Sequence, residues 1–343
     1  MPLHDEILEQ PDVLAGLINT QKENIEGVVN SVGSPKSIFI AARGTSDNAA
    51  RYAKYVWGSY NRVPVTLATP SLFSIYHKPP DLSGMLVIGI SQSGESPDIL
   101  AVIEEANRQK CNTLAITNQR DSPLAIQSDF LIDIQAGVEL SVAATKSYSA
   151  QLGVITMLSA AWNNNDYQWK EIQQVPEFMT KALEAETVIS TYASRYRYMN
   201  QCVVLGRGYN YATAFEWSLK LKELTYVGAQ PYSSADFLHG PIALVSNGFP
   251  VFAIAPQGEV FDDMAKLLSE LKHNRQADLF LISDNQKLLT LADCPIPIPI
   301  GIPEWLTPII GIIPAQLFSY HLTLIKGFNP DAPRGLSKVT RTN

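Results

Sequence analysis

Three cysteines in 343 residues, Cys111, Cys202 and Cys294, are odd in number and far apart, with no C-x-x-C pair among them. That usage argues against a disulfide framework or a thiolate metal site and fits a reducing, cytoplasmic setting. The five histidines include no pair at metal-ligand spacing, so neither a metal nor a cofactor is expected. Positive charge is in short supply: 26 Lys and Arg against 33 Asp and Glu leave a net charge of -7. Such a field repels phosphate backbones and anionic lipid, which excludes nucleic acid or a membrane as the main partner and leaves room for a small anion at a local site. An uninterrupted apolar run is also missing. The stretch from Ile296 to Leu324 holds Glu304 and five prolines (Pro297, Pro299, Pro303, Pro308, Pro314), so no spanning helix is expected there. The opening Met1-Pro2-Leu3-His4-Asp5-Glu6 lacks the apolar core of a secretory signal. With 46% hydrophobic residues and no low-complexity segment, the composition excludes disordered, collagenous and coiled-coil classes.

What is present is a repetition. The length suggests about two domains. Ser37 to Ser46 reads as a buried strand entering a glycine turn, and Cys202 to Asn210 reads the same way, with Arg43 and Arg207 standing 164 positions apart. Met85 to Glu95 matches Pro250 to Glu259 with the same offset between Gly94 and Gly258. A third strand, Asn112 to Asn118, pairs with Ala277 to Asp284. Helical segments are predicted over 48–60, 97–108, 214–226 and 261–274, alternating with the strands. That alternation specifies parallel sheets covered by helices on both faces. The predicted fold class is α/β, two tandem domains, each a three-layer α/β/α sandwich with a mainly parallel sheet. The first is expected over 1–165 and the second over 166–326, with the polar run at 163–168 between them and a lead-in helix over 174–199. A C-terminal tail, 327–343, is too short to be a domain.

Open α/β sheets bind ligands beyond the carboxyl ends of their strands, where helix N-termini offer free N–H groups. Ser91-Gln92-Ser93-Gly94-Glu95-Ser96-Pro97 lies at such a junction, with three hydroxyls, a glycine and a proline suited to a first helical position. This composition suits a phosphate. It also suits a plain helix cap. The repeat is an internal control: Ala255-Pro256-Gln257-Gly258-Glu259 keeps the glycine and the acid and has none of the hydroxyls, which favours one phosphate site, in the first half, assisted by Thr45 and Ser46. Gly206-Arg207-Gly208 lacks the third glycine of a dinucleotide fingerprint, where Tyr211 stands instead.

Glu216, Lys220 and Glu223 fall at i, i+4 and i+7 of one predicted helix and share a face, a pattern that on its own is more typical of a solvated ion-pair stripe. His239, just before a Gly-Pro turn, is expected on a loop, and His321 inside an apolar helix is expected to be packed and chemically silent. Lys338 lies in the tail, where folding over a site would desolvate its amine.

Six motifs in order, Arg43–Ser46, Ile90–Ser96, Glu139–Lys146, Leu219–Leu224, His239–Leu244 and Pro333–Lys338, resemble the double sugar-isomerase (SIS) domain family, in the form seen in the isomerase part of glucosamine-6-phosphate synthase. The resemblance spans nearly the whole chain. It implies that Ser91, Gln92, Ser93 and Ser96 hold a sugar 6-phosphate with help from Thr45 and Ser46, and that Val142 and Ser337 line the sugar site. It further implies that Glu223 moves a proton between C1 and C2, that Lys220 assists it, and that His239, offered by a neighbouring subunit, opens the ring. Lys338 would form an imine with the open-chain ketose. A cytoplasmic homodimer with a shared active site and a hexose or amino-sugar 6-phosphate ligand follows from the same resemblance.

There are departures. The synthase carries a glutaminase domain ahead of this part, whereas this sequence opens at Met1-Pro2, so glutamine-derived ammonia is not expected. The tail reads Arg334-Gly335-Leu336-Ser337-Lys338 in place of Arg-Asn-Leu-Ala-Lys, and Leu238 replaces a lysine beside the histidine. These features are closer to free-standing SIS deaminases and isomerases of amino-sugar catabolism. The expected reaction converts glucosamine 6-phosphate and water to fructose 6-phosphate and ammonia. A fructosamine-6-phosphate deglycase is the enzymatic alternative, and a non-catalytic sugar-phosphate sensor is the alternative from another class.

Overall fold

In the computed structural model of the protein the described residues are 1–338. Runs of aliphatic residues form two five-stranded sheets. The first contains β1 (Ile38–Ala42), β2 (Val65–Leu67), β3 (Leu86–Ser91), β4 (Asn112–Thr117) and β5 (Phe130–Asp133), in the order β2-β1-β3-β4-β5. The second contains β6 (Gln201–Gly206), β7 (Gly228–Ser233), β8 (Pro250–Ile254), β9 (Asp278–Ser283) and β10 (Cys294–Pro297), in the order β10-β9-β8-β6-β7. Every pairing is parallel, and the two orders are one topology used twice. The helices are α1 (Pro2–Leu8), α2 (Gln10–Val32), α3 (Gly44–Ser59), α4 (Ser71–Ser74), α5 (Pro97–Arg108), α6 (Pro123–Gln127) and α7 (Lys146–Asn163). They continue as α8 (Asp166–Leu183), α9 (Glu186–Ala193), α10 (Asn210–Thr225), α11 (Ser234–Leu238), α12 (Phe261–Arg275), α13 (Gln286–Leu289) and α14 (Thr307–Ile325).

The chain divides into two compact units. The first holds 12–139, 144–174 and the described residues after 336; the second holds Met1–Pro11, Leu140–Ala143 and Val175–Leu336. In the first unit Phe39, Ala41, Val87 and Ala115 pack with Ile99, Val102, Ile103 and Ala106 of α5, while Ile38, Ile40, Ile88 and Ile90 are equally buried. Burial on both faces is what a parallel sheet under two helical layers requires. In the second unit Val203, Leu205, Val251 and Leu281 meet Leu267, Leu268 and Leu271 of α12. There Phe252 and Phe280 join Trp217, Phe318 and Tyr196 in a nest of rings 4.6–6.1 Å apart, tilted or edge-on for the most part, as ring quadrupoles favour.

The helix expected over 97–108 is observed as such, but α3 and α10 begin four residues earlier than expected because the turns after β1 and β6 are very short. Thr45 and Ser46 consequently sit in the first helical turn of α3. The polar run at 163–168 is the turn between α7 and α8, closed by Asn164 in the left-handed region (φ +48°). The expected lead-in helix is two, α8 and α9. The prolines of the apolar stretch do not break α14: Pro308 lies in its first turn and Pro314 is accommodated inside it. Among the described residues this is the one helix long and apolar enough to cross a membrane, and 83% of the qualifying window is buried inside the protein. His321 is packed, but it is not without a partner. Its Nε2 and that of His4 share Glu186 Oε1 at 2.9 and 2.6 Å, tying α1 and α14 to α9 in the second unit.

Glycine positions give a direct test of this packing. A Cβ on Gly206 would stand 2.2 Å from the Asn210 carbonyl oxygen, so Gly206→Ala is expected to cost about 1–3 kcal/mol in thermal unfolding. Gly16, exposed in α2 with nothing within 4 Å of its would-be Cβ, should instead gain roughly 0.5–1 kcal/mol on Gly16→Ala.

Candidate functional site

In the first sheet the strand order reverses between β1 and β3, the position at which such sheets open a crevice beyond their carboxyl edge. Both hydroxyl-bearing turns flank this point. Arg43 is the N-cap of α3, and Thr45 and Ser46 follow in its first turn; after β3 the turn 92–96 leads to Ser96, the N-cap of α5, with Pro97 as first helical residue. Two helix N-termini therefore present N–H donors at one edge. Gly94 has φ +66°, and a Cβ there would come within 2.1 Å of Ser122 Oγ, so the turn accepts only glycine. Ser91 Oγ accepts the Gly94 N–H at 3.0 Å, Ser93 Oγ accepts the Glu95 N–H at 3.4 Å, and Ser46 Oγ accepts from Gln151 Nε2 at 3.0 Å. Ser96 makes no side-chain capping bond although it occupies the cap position, which weakens the plain-cap reading for this residue.

Two residues that the sequence reading gave no role brace this edge. Arg43 donates to Asp98 Oδ2 from Nη2 (2.6 Å) and Nε (3.1 Å), and Ser74 Oγ donates to Asp98 Oδ1 at 2.7 Å. The pair links the turn after β1 to the first turn of α5, fixing the distance between the two hydroxyl turns. Arginine ahead of Gly-Thr-Ser and an acid at the second position of a helix were the available signals.

Lys338 ends on a buried acid of the same unit. Glu139 Oε2 accepts from Lys338 Nζ at 2.7 Å and from Ser147 Oγ at 2.8 Å, while Oε1 accepts the Thr145 and Ser147 N–H groups at 2.9 and 3.1 Å. Burial pushes the Glu139 carboxyl up, but Lys338 and the two N–H donors outweigh it and hold the group below its ordinary range. A separation of 199 positions left this partnership without a local signal. Ser337 is exposed beside it.

In the second unit α10 carries the acidic and basic groups. The stripe on this helix is not solvated: Glu216 and Lys220 are fully buried, and Glu223 keeps 23% of its side chain exposed. Lys220 Nζ lies 2.6 Å from Glu223 Oε2 and 3.4 Å from Glu216 Oε1. Burial pulls the Lys220 ammonium down, yet Glu223 and Glu216 more than offset it and hold the group above the ordinary lysine range. The triad is a permanent cation clamped by two carboxylates, one of them within reach of solvent. His239 stands exposed at the C-terminal end of α11, where its N–H donates to the Asp236 carbonyl at 3.1 Å and Gly240 turns the chain with φ +141°. Val142 is half-buried on the segment Leu140–Ala143, which Glu6 holds by accepting the Leu140 and Ser141 N–H groups. Thr45, Ser46, Ser91, Gln92, Ser93, Ser96, Ser337 and Lys338 thus belong to the first unit, and Val142, Lys220, Glu223 and His239 to the second.

Two substitutions test these ion pairs. Lys220→Met leaves two adjacent carboxylates without their cation and is expected to cost about 3–5 kcal/mol in urea unfolding. Glu139→Gln removes the charge that holds Lys338 and should cost roughly 1.5–3 kcal/mol. Trypsin should then cut after Lys338 faster, as mass spectrometry would show. Since the folded Glu139 titrates below its ordinary 4.5, its contribution is complete above that pH and is lost as pH falls through the lower folded value. The gap between wild type and Glu139→Gln should therefore close in acid.

The family model for the SIS domain matches residues 33–161 and 196–326. The glutamine–fructose-6-phosphate aminotransferase (isomerizing) of Thermococcus kodakarensis is 34% identical over 342 residues, which are 97% of this chain and 56% of that protein. The chain thus spans a little over half the length of that relative. The solved C-terminal domain of glucosamine-fructose-6-phosphate aminotransferase from Francisella tularensis is 30% identical, with a TM-score of 0.85 over 97% of this chain and 98% of that one. A glucosamine-6-phosphate deaminase from Thermotoga maritima shares the fold, with a TM-score of 0.80 over the full length of both chains at 22% identity. Two matched segments, one per sheet, together with the 164-residue repeat, establish that the chain belongs to the SIS domain family and carries the domain twice.

Proposed function

We propose that the protein is a phosphosugar isomerase that converts glucosamine 6-phosphate and water to fructose 6-phosphate and ammonia. The observation that carries this reading is the placement of Glu223: a carboxylate at the edge of solvent, held 2.6 Å from a buried lysine that the two acids beside it keep charged. That contact fixes the orientation of the carboxylate, as a base requires. The hydroxyl turn, with Ser91, Gln92, Ser93, Ser96, Thr45 and Ser46, takes the 6-phosphate through hydroxyls and helix N-termini without a metal. Val142 and Ser337 line the sugar.

On this reading His239 of a second copy in a cytoplasmic homodimer opens the ring. Glu223 removes the C2 proton of the open-chain aldehyde and returns it to C1, turning the C2 amine into an imine and the aldehyde into an alcohol. Water, or Lys338 followed by water, adds to C2, and ammonia leaves; carbon, nitrogen and protons balance with one water consumed. The relatives named as fructose-6-phosphate aminotransferases support the sugar class.

Incubating the protein with glucosamine 6-phosphate should release ammonia and fructose 6-phosphate in equal amounts. Glu223→Gln should lower kcat by about two to four powers of ten, and Ser93→Ala should act chiefly on KM. Undiminished turnover in Glu223→Gln, or ammonia from fructosamine 6-phosphate alone, would sink the reading.

A further inference from the structure

The second unit has its own counterpart of the hydroxyl turn, and it is occupied by a side chain of that same unit. Gly94 and Gly258 are 164 positions apart, as are the first residues of β3 and β8 and of α5 and α12. In this register Ala255–Val260 corresponds to Ser91–Ser96, and Val260 takes the N-cap position. A Cβ on Gly258 would meet Glu304 Cδ at 2.2 Å, Cγ at 2.4 Å and Oε2 at 2.6 Å, and Oε2 accepts the Glu259 N–H at 2.9 Å. Buried Asp284 accepts the Gln257 N–H at 2.7 Å. The corresponding Glu95 N–H of the first unit meets only a neutral hydroxyl, at 3.4 Å. The cation of the neighbouring turn, Arg207, is taken by Asp263 at 3.1 Å.

We infer that Glu304 is a tethered anion, standing where a phosphomonoester would sit and keeping a latent anion site of the second unit shut. The inference rests on reading the turn 91–96 as a phosphate cradle. Glu304 is delivered by a fixed backbone: its carbonyl accepts from Thr307 Oγ1 at 2.6 Å, and Thr307 Oγ1 accepts from Asn210 Nδ2 at 2.7 Å. An anion tethered this way competes at a high effective concentration against free phosphate. The negative charge of Asp284 repels a dianion further. Two copies of one fold thereby present a single phosphate cradle, so a sugar phosphate has one orientation in which to bind.

Thermal unfolding in inorganic phosphate against chloride at matched ionic strength tests this. Glu304→Ala should gain a phosphate-dependent rise in Tm of roughly 2–4 °C beyond that of wild type, and formate should give part of it. If Glu304→Ala does not fold, Glu304→Asp, which withdraws the carboxylate by one methylene, should show the same gain. No gain in the variant that folds means that Glu304 is only a cap, and overturns the inference. Repeating the series with Ser93→Ala and Ser96→Ala separates the two readings. Loss of the wild-type response with the Glu304 gain retained supports both. An unchanged wild-type response sinks the first cradle and leaves the Glu304 comparison standing.

Discussion

Parallel strand pairing is the constraint on which the rest depends. When every strand in a sheet runs the same way, all strand-to-helix turns lie along one edge and all following helices start there. The order β2-β1-β3-β4-β5 then opens one gap at that edge, where the first turn of α3 and the turn before α5 come side by side. Hydroxyls placed in those two turns, 47 to 51 positions apart in the chain, are brought to one edge by the sheet itself.

Charge is handled by a second rule, that a buried ion has an opposite charge or backbone N–H donors within hydrogen-bond reach. Lys220 obeys it with Glu216 and Glu223, Glu139 with Lys338, and Asp98 with Arg43. The two copies of the fold have specialised through this rule. One keeps neutral hydroxyls at its switch point, and the other fills the same place with Glu304 and Asp284. Duplication supplied two frames, and on the proposed reading the choice of hydroxyl or carboxylate decides which of them takes an anion.

Much of this was legible in the residues. The 164-residue offset named the repeat, and in the structure it holds to the residue for the starts of β3 and β8 and of α5 and α12. Pro97 after Ser96 located the start of α5 because proline suits a first helical position. What could not be read was burial. Glu216, Lys220 and Glu223 have the spacing of a surface stripe, and only the contacts of α10 with the rest of its unit put the first two out of solvent. Proline misled in the other direction: Pro314 was expected to break an apolar stretch, yet neighbouring packing carries α14 through it. Partnerships over long separations, Glu139 with Lys338 and His4 with Glu186 and His321, leave no local pattern at all.

The termini are exchanged between the compact units: Met1–Pro11 packs with 175–336, while Ser337 and Lys338 join the other unit. Synthesis is vectorial, and the N-terminal part of a chain generally folds first. Here residues 1–11 have their partners, Glu186 and Gln316 among them, at positions translated much later. Leu3 and Ile7 therefore wait, uncovered, while the first sheet assembles, until α14 is made and packs over α1.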